Sequence, residues 1–343
     1  YFIGRLAFNR KTALIAAATF AIYPAAIINT QHCYSEPFAY FLLTIWTTMV
    51  LALQLRHRKN RRIRACIWIG IGAFAGLLTL SKPAFIILPP IIAAELMALS
   101  IIGKIVHFRS PAERKTSILV ALRKFVLRGA LIALGALVVL TPWILFNKAA
   151  TGQYSVFVNR VPSFNIFHGN QLKTDGWRCY PYFGTFPGGT PQVIASLLED
   201  AKKSPLPFLG LQFKKIARLW SGVWNEYHYP LFGVPLAIQS IFHQLLILLG
   251  VIGLSLALAI RQGKTFSRSF SAAVVLGTIA IFHFVYIPFE AISRYAITAM
   301  PSLIILAAFV INRASGQIES RRALAGLLGF AVWAFFLISV SGN

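Results

Sequence analysis

Acidic residues are scarce, with nine Asp and Glu in 343 residues against 33 Lys and Arg. Cysteine is scarcer still. Cys33, Cys66 and Cys179 are too scattered for a Cys-x-x-Cys metal site and too few for a disulfide framework. The chain starts at Tyr1 without an initiator Met and without the basic, apolar, small-residue order of a secretory signal, so a preceding segment is expected. No internal repeat of the kind that marks many transporters is visible. What the chain has in abundance is apolar surface: 57% of its residues are hydrophobic and the mean hydropathy is +0.69. That average is too apolar for an ordinary soluble domain and excludes a soluble enzyme with one anchor.

The expected fold class is all-α, a polytopic bundle of about nine transmembrane helices. Apolar runs lie at 12–31, 37–55, 65–80, 84–102, 129–146, 236–260, 270–288, 296–312 and 323–340. At about 20 residues per crossing of a ~30 Å hydrocarbon layer, nine crossings take roughly half of the chain. Ser81-Lys82-Pro83 splits the third run from the fourth, and proline disfavours helix at the residue before it, so a tight hairpin is expected there. Three regions follow: an N-terminal membrane region 1–146, an outer segment 147–235 and a C-terminal membrane region 236–343.

With residue 1 in the cytoplasm, the inner segments 1–11, 56–64, 103–128, 261–269 and 313–322 hold 22 of the 33 positive charges. The positive-inside rule therefore fixes one orientation without a contradicting loop, and it places 147–235 on the exoplasmic side. Glu36, Asp175, Glu199, Asp200, Glu226 and Glu290 fall outside, while Glu113 and Glu319 fall inside. The basic runs from Arg56 to Arg62 and from Lys104 to Arg128 abut spanning helices, so they read as orientation signals against anionic lipid, and nucleic acid is discarded as a partner. A bacterial inner (plasma) membrane is the expected location; an endoplasmic reticulum membrane fits the same charge pattern.

The outer segment is rich in Gly, Pro, Asn and aromatics and then carries a helical run from Ile194 to about Tyr227. Leu206, Leu209, Phe213 and Trp220 against Lys202, Lys214, Lys215 and Arg218 suggest a helix lying in the membrane interface and roofing a cavity, or else a structural plug. Trp177, Tyr180, Tyr182, Trp220 and Trp224 suit sugar stacking or an ordinary interfacial aromatic belt.

Charges at the outer ends of spanning helices are costly unless they have a partner or a task. Glu36, before Pro37, either caps a helix N-terminus, or orients an acceptor hydroxyl or holds a divalent ion. Lys82, the only charge in its hairpin, either reaches lipid phosphate or clamps a bound one. Arg294 in Glu290-Ala291-Ile292-Ser293-Arg294-Tyr295 either pairs with Glu290 four residues earlier or grips a phosphate with both prongs of its guanidinium, with Tyr295 adding a hydroxyl or a stacking face. All three charges fall on one side of the membrane, which favours a shared pocket.

These residues resemble an ordered series of motifs in the polyprenyl-phosphate-dependent membrane glycosyltransferases of the protein O-mannosyltransferase and aminoarabinose transferase type, within the glycosyltransferase C superfamily. The series runs through Gly4-Arg5, Tyr23-Pro24-Ala25, Ser35-Glu36-Pro37-Phe38, Gly72 and Gly76 before Leu80-Ser81-Lys82-Pro83, Thr141-Pro142-Trp143 with Asn147, Asn165 with Gly169-Asn170, and Arg294-Tyr295 with Pro301. The resemblance spans about residues 1–170 and 288–305. Family members begin with additional helices and an outer loop whose acid is the usual catalytic base, and the resemblance implies that this portion lies in the segment expected before Tyr1. Lys82 stands where arginine is typical, keeping the charge and losing the planar fork.

The resemblance implies transfer of a hexosyl or pentosyl group from a polyprenyl-phosphate donor to an acceptor hydroxyl on the exoplasmic or periplasmic side, with inversion. The acceptor is a protein, a lipid or a glycan. Lys82, Arg294 and Tyr295 would bind the donor phosphate, Glu36 would be the catalytic carboxylate and the possible ligand of Mg or Mn, and Asn165, His168 and Asn170 would contact sugar or acceptor. Two other readings remain: a transporter or flippase of lipid-linked sugars, and a ligase or polymerase taking a glycan from a diphosphate carrier.

Overall fold

The computed structural model describes residues 1–31, 34–55, 61–107, 111–156, 161–176, 189–222, 231–259 and 264–314. Its ordered elements among these residues are all helical. In the N-terminal region they are α1 (Phe2–Ala7), α2 (Arg10–Ala21), α3 (Pro24–Gln31), α4 (Ser35–Leu55), α5 (Arg61–Ser81), α6 (Leu88–His107) and α7 (Pro111–Thr151). The outer segment contributes α8 (Val161–His168), α9 (Thr190–Lys203) and α10 (Pro205–Trp220). The C-terminal region adds α11 (Leu236–Ala259), α12 (Lys264–Phe282), α13 (Ser293–Ala296) and α14 (Met300–Ala314).

Six of the described helices are long and apolar enough to span a membrane, and a seventh span results if α2 and α3 are taken together. The protein is a polytopic membrane helix bundle. The run 12–31, expected as one helix, bends by 49° between Ala21 and Pro24. The physical cause is Pro24, which lacks an N–H and biases the preceding residue out of the helical region. The expected break at 81–83 is present: α5 ends at Ser81, Lys82 is extended, and Pro83–Ile87 form a 3-10 turn leading into α6. The run 129–146 is part of the 41-residue α7, which continues through Pro142. The run 323–340 lies outside the described residues.

The segment Ser293–Arg313 is the most enclosed span, 83% buried, and α14 packs against α2, α11 and α12. At one end of the bundle, Asn9 caps α2 by accepting from the Thr12 N–H, and Asn312 donates to the side chains of Asn9 and Thr12. Phe8 stacks on Phe309 at the same end. At the other end, the start of α4, the end of α5, the end of α8 and the 288–295 turn converge. Those four breaks in helix place polar side chains where backbone groups are freed from helical pairing.

Candidate functional site

Glu36 lies in the first turn of α4 and is buried. Its Oε1 accepts from Lys82 Nζ at 2.8 Å and lies 3.6 Å from Arg294 Nε. Arg294 thus turns to Glu36, 258 residues earlier in the chain, and α13 is what aims it there. The two cations share an aromatic frame. Lys82 sits 4.6 Å from the Tyr295 ring centre, and the Arg294 guanidinium lies 4.8 Å from that of Tyr34 and 5.5 Å from that of Tyr295. Tyr295 stacks on Tyr286 with ring centroids 4.8 Å apart. Cations over ring faces gain electrostatic attraction from the rings in addition to the carboxylate that they share.

Beside this cluster opens a cavity of about 430 Å³. Lys82, Asn165 and Tyr295 form its polar side, and Ile86, Ile87 and Phe289 belong to its apolar walls. The arrangement suits an amphiphile: a charged head at one end and an apolar body along the slot. The Tyr286 hydroxyl, in the same wall, is buried with no hydrogen-bond partner among the described residues.

The other expected contacts lie just behind the cavity. His168 is buried against Phe164 and Phe167, with the Phe164 ring centroid 4.2 Å away. Asn170 is a crossing point. Its Nδ2 donates to the carbonyls of Ile166 (2.7 Å) and Pro288 (2.8 Å), and its Oδ1 accepts from Gln212 Nε2 (3.1 Å) and Lys215 Nζ (3.0 Å). A side-chain amide has two donors and two lone pairs, so all of Asn170 is spent within the protein. Gly169 allows this crossing. A Cβ there would stand 2.4 Å from the Phe289 carbonyl carbon and 2.5 Å from the Glu290 nitrogen, so only glycine lets the two backbones meet.

The sequence suggests an interfacial helix at α10 without saying which of its residues turn inward. The structure buries Leu211, Leu219 and Trp220 together with Lys215. Lys215 is fully buried, and Arg218 donates to the Asp175 carboxylate at 3.0 Å and to its carbonyl at 2.9 Å, whereas Leu206, Leu209 and Phe213 are 79%, 52% and 44% exposed. Burial, with repulsion from Arg218 added, lowers the Lys215 ammonium to about 7. Burial also lowers Arg218, against the pull of Asp175 and Glu290. Nothing in the amphipathic pattern of α10 tells which of its faces is inward; Asp175, which receives Lys214 and Arg218, is the acid that could have signalled it. Tyr34 and Tyr286, absent from the sequence-derived site, complete the frame around Arg294 and Tyr295.

Among the described residues, no three His, Cys, Asp or Glu side chains gather where they could hold a metal ion. Glu36, the expected metal ligand, already faces an ammonium and a guanidinium, and a divalent cation at its Oε1 would meet two fixed positive charges. The donor set fits an anion better than a cation. Trp177, Tyr180, Tyr182, Trp224 and Glu226 lie outside the described residues.

No family model matches the chain, and no curated protein sequence does. Among solved structures, it is similar to an archaeal oligosaccharyltransferase, AglB from Archaeoglobus fulgidus, in complex with an inhibitory peptide and a dolichol-phosphate. The identity is 17% and the TM-score 0.47, over 99% of this chain and 42% of that one, so the chain spans under half of that structure's length.

Proposed function

We propose that the chain is the donor-binding part of a membrane glycosyltransferase that moves a sugar from a polyprenyl-phosphate to an acceptor hydroxyl. The observation that carries the reading is the meeting of Lys82 and Arg294 at the Glu36 carboxylate, beside an apolar cavity that Lys82 and Tyr295 line. A lipid phosphate entering that slot would meet Lys82 and Tyr295, with Arg294 behind them at Glu36 and the isoprenoid chain along Ile86, Ile87 and Phe289.

In the transfer, the bond between the anomeric carbon and the phosphate oxygen breaks and its electron pair stays on the phosphate. The acceptor oxygen bonds to the anomeric carbon from the opposite face, and its proton passes to a base. Negative charge grows on the phosphate as this happens, so cations fixed beside it stabilise the transition state more than the ground state. Glu36 holds Lys82 and Arg294 in place; it assists rather than abstracts. Asn165, which lines the cavity, borders the sugar with His168 buried behind it, and Asn170 holds the outer segment against the 288–290 turn. The apolar face of α9 and α10, with Ile194, Leu198, Leu206, Leu209 and Phe213 exposed, rests on the outer membrane surface. The residues 147–235 lie on the exoplasmic side of an inner membrane, in keeping with the charge bias.

The test uses the full-length gene product in proteoliposomes containing polyprenyl-phosphate sugars. Acceptor-dependent release of polyprenyl phosphate, lost in Lys82→Ala and Arg294→Ala and reduced in Glu36→Gln, is the expected result. Donor movement between leaflets without release would establish a transporter, and release from diphosphate-linked donors alone would establish a ligase. A requirement for Mg or Mn is read in the same assay by adding a chelator.

A further inference from the structure

A second site lies at the opposite end of α5. Helices α5 and α7 run parallel and touch backbone to backbone at two glycines: a Cβ on Gly72 would stand 2.0 Å from the Ile132 carbonyl oxygen, and one on Gly135 would stand 2.0 Å from that of Ile69. Small residues at a crossing let membrane helices approach closely, and the larger side chains beyond the crossing then hold them apart. Below this contact the two helices enclose a groove of about 580 Å³ whose walls carry Arg64, Arg123, Lys124 and Arg128. The Arg128 guanidinium lies 5.3 Å from the Trp68 ring centre. Among the described residues, no carboxylate pairs with any of these four cations.

The groove is not purely polar. Trp68, Lys124 and Arg128 also line an adjoining slot of about 160 Å³ that runs inward between α4, α5, α6 and α7, past Val50, Ile92 and Leu96. Arg64 and Lys82 are 18 residues apart, which at 1.5 Å per helical residue puts the groove about 27 Å from the Glu36 cluster, at the other membrane face.

The structure assigns this groove to the phosphate headgroup of an anionic glycerophospholipid, with an acyl chain leading into the adjoining slot. Four cations lining one cleft, with no described carboxylate paired to them, make it attractive to an anion, and guanidinium groups bind phosphate oxygens in pairs. The apolar slot selects a lipid over a soluble phosphate, because a free anion would leave it unused. Trp68 stands where an aromatic ring suits the headgroup level. This site is independent of the reading proposed for Glu36, Lys82 and Arg294, and its test needs no turnover.

The experiment uses the purified full chain, stripped of lipid in detergent and titrated with phosphatidylglycerol, phosphatidylcholine or inorganic pyrophosphate, with bound lipid counted by native mass spectrometry. Phosphatidylglycerol should be retained and phosphatidylcholine should not. Arg64→Ala with Arg128→Ala should weaken retention about 30-fold, from the loss of two cation contacts. Arg10→Ala with Lys11→Ala, exposed cations at the same end of the bundle, should leave it unchanged. If the first pair impairs folding, Arg123→Gln with Lys124→Gln serves instead, because both side chains are exposed. Equal retention of both lipids, or unchanged binding in the groove variants, would overturn the assignment. Displacement of phosphatidylglycerol by pyrophosphate at equal concentration would overturn it in favour of a soluble anion.

Discussion

Replacing Lys82 by Met removes the ammonium and keeps most of the side chain's volume, leaving a buried Glu36 carboxylate with only Arg294 to face. At an effective dielectric constant of about 20, the gross attraction of the 2.8 Å Lys82–Glu36 pair is about 6 kcal/mol and that of the 3.6 Å Arg294–Glu36 pair about 5 kcal/mol. Desolvation offsets most of this. The net cost of removing one partner from a buried pair is about 3–5 kcal/mol, and because Arg294 remains, the lower end is expected, about 3 kcal/mol. Glu36→Leu added to Lys82→Met removes the stranded charge and should recover at least half of the loss. Unfolding in mixed micelles of rising denaturing-detergent content, followed by far-ultraviolet circular dichroism, reads both numbers. If Lys82→Met stays within about 0.5 kcal/mol of the unchanged protein, or the double variant is less stable than Lys82→Met alone, Glu36 is not a buried charge held by Lys82 and the cluster described above is wrong.

Gly169→Ala should cost about 1–3 kcal/mol and detach α8 from the 288–290 turn, seen as faster proteolysis of the outer segment, because the new Cβ meets backbone rather than a yielding side chain. Lys215 supplies a pH dependence: its folded value of about 7 is below the value near 10.4 of an unfolded lysine, so the unfolded chain binds more protons between those limits and stability should rise with pH from about 7 to about 10. Lys215→Met should flatten that slope relative to the unchanged protein; an identical slope would place the titration elsewhere. Asn170→Asp puts a carboxylate 3.0 Å from the Lys215 ammonium and should raise Lys215, moving the dependence to higher pH.

Much of the bundle is legible in the sequence because its physical signals are one-dimensional. The runs 37–55, 65–80 and 236–260 coincide with helices to within a few residues, since an apolar stretch of the right length has one way to satisfy its backbone in lipid. Pro83 marks its break correctly for the same kind of local reason. The bend at Pro24 is equally local, yet the apolar run continues across it and hides it. Glu36, Lys82 and Arg294 can be assigned to one face from topology; that all three meet at one oxygen depends on the packing of α4, α5 and α13, which no spacing encodes. The inward turn of Lys215 and Arg218 is hidden because helical periodicity identifies two faces without ranking them. Glu95 is a further case. It sits inside an apolar run and accepts from the Thr278 hydroxyl at 2.5 Å, a partner 183 residues away.

The bonds at Asn170 bear on how anything reaches the cavity. Asn170 ties α8 and α10 to the Pro288 carbonyl, and Gly169 presses on the next peptide, six residues and fewer ahead of Arg294. Lifting the outer segment would therefore pull on the turn that leads to Arg294, and a hinged lid over the pocket is mechanically disfavoured. Ile86 and Ile87 stand 40% and 44% exposed on the opposite wall. In the function proposed above, that exposed apolar wall would be turned to the bilayer, and a lipid-borne donor would enter sideways, tail and head together.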